Sequence, residues 1–99
     1  MARRHGRVDQ NQEAIVTTAR QMGASVYSLA DVGDGVPDLL IGIFGITEVW
    51  EVKNGIQGEL TDDQVIFHNT FKGCAQIIRS EAEAIRRIQQ LGQMGRGRV

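Results

Sequence analysis

The sequence predicts a minimal α/β fold, a mixed four-stranded sheet flanked by helices. Three observations carry that expectation. Apolar residues recur at helical spacing in three segments and form four short β-type runs; the segments follow the order α-β-β-β-α-β-α; and 99 residues make one domain, which buries roughly 60–65% of the surface its unfolded chain exposes.

The first helix is expected after the leader "MARRHGRV". Asp9 with Gln12 has capping-box spacing, Ile15, Val16, Ala19 and Met22 form one apolar stripe, and Gly23 supplies a stop. "ASVYSLA" is rich in β-formers and reads as the first strand. Gly33, Gly35 and Pro37 make "DVGDGVP" a loop. Two strands follow, Asp38 to Phe44 and Thr47 to Lys53, around a turn at Gly45-Ile46, with glycine in the first central position of a type II′ turn.

"NGIQGEL" is a polar loop, and Thr61 with Gln64 opens the second helix as a capping box, with Asp62 and Asp63 at its positive end and Gly73 beyond it. "CAQII" is the fourth strand. Ser80 with Glu83 caps the last helix, whose expected apolar face is Ala82, Ile85, Ile88 and Leu91. The first three strands form an antiparallel meander, and the fourth, returning through a helix, pairs in parallel. Residues 1–8 are expected to be a flexible basic leader, 9–91 the domain and 92–99 a flexible basic tail. Tyr27, Trp50 and the three phenylalanines read as core and not as a base-stacking platform.

Composition bounds the function. The chain is 41% hydrophobic and 23% charged, which excludes wholesale disorder. Cys74 is the only cysteine, so no internal disulfide or cysteine cluster forms, and no apolar run approaches the ~20 residues of a membrane span. A cytoplasmic location is expected. The net charge of −1 conceals a polarised chain: residues 1–7 and 79–99 hold eight arginines against two acids, while residues 8–78 hold three basic and ten acidic residues. Basic ends around an acidic middle suit a polyanionic partner with a metal at the centre, the alternative being solvated helix faces and frayed tails.

The hairpin "PDLLIGIFGITEVWEVKNG" carries three charges where packing alone would place apolar residues. With the turn at Gly45-Ile46, Asp38 lies opposite Lys53 and diagonal to Glu51, all on one face by period-two alternation. The opposite face, Leu39, Ile41, Ile43, Trp50 and Val52, is apolar, and Leu40 with Val49 makes even the charged face partly so; the hairpin is therefore expected to be central and covered on both sides. Two partly buried carboxylates repel each other unless a proton, a cation or Lys53 offsets them. Mg²⁺ suits the task, needing hard oxygen ligands and few protein carboxylates. In that reading Asp38 and Glu51 hold the metal, joined by the Val52 carbonyl, and Lys53 assists the attacking water and the phosphate. The alternative is an Asp38–Lys53 ion pair with Glu51 at a solvated strand end.

These residues resemble a family. Pro37-Asp38, then Glu51-Val52-Lys53, match the PD-(D/E)xK nuclease signature, and "GVPDLLIG", "EVWEVKNG", "LTDDQVIFHNTFKG" and "IIRSEAEAI" resemble the virus-type replication-repair nuclease domain, VRR-NUC, in its stand-alone phage form. The resemblance covers about Asp9 to Ile88. It implies a restriction-endonuclease-like αβββαβ core, a Mg²⁺- or Mn²⁺-dependent endodeoxyribonuclease, and a homodimer acting on branched DNA such as Holliday junctions. It further implies a catalytic role for Gln64, whose competing task is the capping box, and a metal ligand from the first helix, either Glu13 or Gln12. Arg3, Arg4, Arg7, Lys72 and Arg79 are candidates for phosphate contacts, and His68, one turn after Gln64, is either a DNA contact or an ordinary helical histidine. Asp34 reads as a turn residue more readily than as a site residue.

Overall fold

The computed structural model describes residues 10–55 and 58–96. The expected order is present: α1 (Gln10–Gln21), β1 (Ser25–Ser28), β2 (Leu39–Ile43), β3 (Ile46–Val52), α2 (Asp62–Thr70), β4 (Ala75–Ile78) and α3 (Glu81–Arg96). The four strands form one sheet in the order β1-β2-β3-β4. The first three run as an antiparallel meander and β4 pairs in parallel with β3, so the charged hairpin is the centre of the sheet.

The turn is displaced from its expected place. Ile43 pairs with Ile46, leaving Phe44 and Gly45 as a two-residue loop with φ of 57° and 76°. Two positive φ angles make this a type I′ turn, not type II′. Packing explains the choice: the observed register brings Ile46 into the strand, where it packs against the core, and puts the 52%-exposed Phe44 into the loop. Because the slip is two residues, every side chain keeps its expected face.

One face of the sheet holds the core. Val26, Leu39, Ile41, Ile43, Trp50, Val52 and Ile78 pack against Ile15 and Ala19 of α1 and Ala84, Ile88 and Leu91 of α3. The buried stripe of α3 is therefore Ala84, Ile88 and Leu91 at i, i+4, i+7, while Ala82 and Ile85, both expected inside, are exposed. An i, i+3, i+6 series drifts around the helix, and the observed spacing does not. The helix also continues past the expected stop: Gly92 is buried and helical, and Gly95 passes so close to the turn that a Cβ there would sit 3.1 Å from the Cβ of Phe44.

The second face is covered only in part. Its residues include Ser25, Tyr27, Leu40, Gly42, Thr47, Val49, Glu51, Ala75 and Ile77, and none of them belongs to the core cluster. None of the nine residues of α2 is buried. Tyr27 is 64% exposed and Phe71 lies on the surface, so of the aromatic residues expected inside only Trp50 is fully buried. Among the described residues no helix is long and apolar enough to cross a membrane. The Asp9–Gln12 capping box, Arg3, Arg4 and Arg7 fall outside the described residues.

Candidate active site at the open end of the hairpin

The β2 ladder ends at Leu39, and the next β3 donor facing it, the Val52 N–H, donates instead to Asp38 Oδ2 at 2.8 Å. Asp38 thus uses one carboxylate oxygen to finish the sheet. The register continued by one step puts Asp38 directly opposite Glu51, closer than the diagonal relation the sequence suggested. The two-residue slip of the turn is what tightens the pair.

Glu51 is 2% exposed. Its Oε2 accepts from Gln64 Nε2 at 3.1 Å and lies 3.8 Å from Lys53 Nζ, whereas its Oε1 is buried without a hydrogen-bond partner among the described residues. Burial, then the negative charge of Asp38 beside it, push its pKa up to about 8 against the opposing charge of Lys53. The cross-strand Asp38–Lys53 pair that competed with the metal reading is replaced by a contact between Lys53 and Glu51, two residues apart on one strand face.

Gln64 completes the capping box and also reaches Glu51, the two contacts between which its sequence position could not decide. Its Oε1 accepts from the Thr61 N–H at 2.9 Å, and its own N–H donates to Thr61 Oγ1 at 3.3 Å, completing the capping box. The other end of the same amide, Nε2, remains to reach Glu51. A side-chain amide offers an acceptor at one corner and donors at the other, which is why the two roles are compatible. His68, one turn later on α2, has a buried Nε2 with no hydrogen-bond partner among the described residues, and burial lowers its pKa.

α1 reaches this end of the molecule through a residue the sequence did not single out. Asn11 Nδ2 donates to the Lys53 carbonyl at 3.0 Å and the Arg79 carbonyl at 3.2 Å, tying the ends of β3 and β4 together. Glu13 is exposed and Gln12 half-buried. Among the described residues no third His, Cys, Asp or Glu joins Asp38 and Glu51 in a metal-ligating group, so Glu13 does not complete a carboxylate triad here. Arg79 turns its guanidinium onto the Gly55 and Gly58 carbonyls at 2.8 and 2.6 Å and braces the loop before α2; Lys72 is exposed beyond that helix.

A divalent cation fits the donors present. A buried carboxylate, one oxygen of which has no hydrogen-bond partner among the described residues, lies beside a second carboxylate, and the conflict is relieved by a proton or by a hard cation, as Mg²⁺ or Mn²⁺ would provide with its own waters filling the remaining positions. Glu51 and Asp38 would hold it, with the Val52 carbonyl as the third candidate ligand.

A second buried carboxylate lies on β3, on the opposite face. Glu48 is 3% exposed, receives both Arg87 Nε at 3.0 Å and Nη2 at 2.7 Å, and accepts from the Trp50 indole at 2.6 Å. Every oxygen of Glu48 is engaged and its pKa is lowered, its hydrogen bonds and the Arg87 charge outweighing its burial. The contrast isolates Glu51 as the unsatisfied one. Compared with protein-family models, curated proteins and solved structures, the chain has no match.

Proposed function

We propose that the protein is a divalent-metal-dependent endodeoxyribonuclease of the VRR-NUC kind, cutting phosphodiester bonds in branched DNA such as Holliday junctions as a cytoplasmic homodimer. The observation that carries the reading is the Asp38–Glu51 pair, in which a buried carboxylate oxygen has no hydrogen-bond partner among the described residues. When bound, Mg²⁺ or Mn²⁺ supplies Lewis-acid stabilisation of the phosphoryl oxygens and a more acidic water. Asp38 is held in place by the Val52 N–H, and Glu51 by Gln64 from the first turn of α2. Lys53, 16% exposed at its side chain, places a cation beside Glu51, where it can neutralise charge developing on the phosphate.

The test is cleavage of labelled four-way, flap and linear DNA in Mg²⁺ or Mn²⁺. Asp38→Ala and Lys53→Ala should each lose about 10²-fold or more in rate while still binding DNA. Cutting that survives Asp38→Ala overturns the assignment. Titration calorimetry with Mn²⁺ adds a readout independent of turnover, since heat of binding should disappear in the Asp38→Ala protein.

A further inference from the structure

The half of the second sheet face formed by β1 and β2 is an uncharged strip bearing one exposed aromatic ring. Tyr27, the only tyrosine in the chain, stands on it at 64% exposure. It pairs with Leu40, and its nearest neighbours on the same face are Ser25 along β1, Gly42 on one diagonal and Asp38 on the other, so that small residues lie on the side of the ring away from Asp38. A Cβ added at Gly42 would meet only the Ser25 Cβ, at 3.9 Å, so the floor beside the ring is open. Both core helices pack on the other side of the sheet.

This strip is continuous with the candidate active site. Tyr27 pairs with Leu40, two residues along β2 from Asp38, and alternation puts Tyr27, Leu40, Asp38 and Glu51 on one face. Strand spacing and rise set the Tyr27 and Asp38 backbones about 8 Å apart. Phosphates would seek cations, and Ser25, Tyr27, Leu40, Gly42 and Thr47 offer none. A nucleobase seeks an aromatic face and an apolar floor, which they do offer.

We propose that Tyr27 is a stacking platform for an unpaired base lying next to the scissile phosphate, so that the site takes DNA with single-stranded character at the cut and not an intact duplex. The proposal rests on the nuclease reading for the location of the phosphate. A paired base is already stacked in its duplex and has no face to give, so the contact discriminates by pairing state and tolerates any base.

The experiment measures binding in EDTA, where no cutting occurs, of a fluorescent single-stranded oligonucleotide containing 2-aminopurine and of the same sequence as a blunt duplex. Tyr27→Ala should weaken single-strand binding by about 5- to 150-fold, the range that alanine substitution of a stacking aromatic gives. It should abolish the quenching of 2-aminopurine and leave duplex binding within about twofold. Tyr27→Phe, which keeps the ring, should behave as wild type. Equal single-strand affinity of wild type and Tyr27→Ala overturns the proposal, as does an equal loss on single strand and duplex. A sedimentation change from dimer to monomer on Tyr27→Ala also overturns it, by assigning the strip to self-association. Cleavage in Mg²⁺ separates the two readings: cutting indifferent to Tyr27 removes this proposal alone, whereas Tyr27-dependent stacking without any cutting removes the nuclease reading and keeps the base site.

Discussion

Without metal, the protein should become less stable as the pH rises towards 8, and Glu51 is the reason. Its carboxyl is pushed up to about 8 by burial first and by Asp38 second, from an ordinary value of 4.5. Between these limits the folded state keeps a proton that the unfolded state has released, so the unfolding free energy falls with pH. The contribution is fully present below about 4.5 and is lost as the pH rises through about 8. One proton corresponds to about 1.4 kcal/mol per pH unit, which at this size is roughly 5–10 °C of melting temperature. Across the window the loss is roughly 4–5 kcal/mol, a large share of the 5–15 kcal/mol that holds a typical domain together. Two other groups act in the opposite sense. Glu48, with a lowered pKa, gives stability that is lost as the pH falls through its folded value, and His68, lowered by burial, favours the folded state above its unfolded pKa. Comparison of wild type with Glu51→Gln cancels both. The assay is urea unfolding in EDTA from pH 5 to 8.5, read by Trp50, the only tryptophan and 0% exposed. Wild type should lose stability relative to Glu51→Gln at every step, and added Mg²⁺ should restore more at pH 8 than at pH 6, because cation and proton compete for one carboxylate. Parallel curves for the two proteins between pH 5 and 8 would refute the reasoning.

Two further outcomes are expected. Gln64→Ala removes the acceptor for the Thr61 N–H and the donor to Glu51 together, costing about 1 kcal/mol in urea unfolding and slowing cleavage; Gln64→Glu keeps the acceptor but sets a third carboxylate against Glu51, so its stability should fall more steeply with pH than wild type. Arg87→Ala leaves Glu48 buried and charged with the Trp50 indole as its remaining donor, an expected loss of about 3–5 kcal/mol by the same assay, whereas Glu48→Leu combined with Arg87→Leu should lose less than Arg87→Ala alone.

Element order, sheet topology and the side of the hairpin on which the charges fall were legible because they follow from local patterns: capping residues, alternation, and the parallel return through α2. The turn was not, because "FGIT" permits glycine in either central position, and the choice between them is made by Ile46 entering the sheet and Phe44 meeting Gly95 on α3. The error was confined by parity. A slip of one residue would have turned Asp38 or Glu51 onto the other face, but a slip of two moves partners along the strand and leaves every face unchanged. Asn11, and the bracing contacts of Arg79, which the sequence offered only for phosphate, escaped for a related reason: their partners are backbone carbonyls at the ends of other elements, and a carbonyl leaves no mark in the sequence.

The two buried glutamates of β3 show what separates a structural charge from a chemical one. Glu48 and Glu51 lie three residues apart, on opposite faces, and are 3% and 2% exposed. The sequence singled out Glu51 by its face of the hairpin and gave no sign that Glu48 would be buried as deeply. Glu48 meets Arg87 in a two-point contact and an indole N–H besides, so its charge is spent inside the protein and nothing from solution is needed to balance it. Glu51 meets a second carboxylate, one amide hydrogen and a lysine at the edge of contact range, which leaves one oxygen with no donor among the described residues. A chain selected only for packing would gain by replacing such a group with an apolar one, since an unsatisfied buried polar atom costs about 1–3 kcal/mol. Retaining it is explained if a ligand completes the arrangement, and the shortage is of positive charge next to hard oxygen atoms, which is the shortage a divalent cation fills.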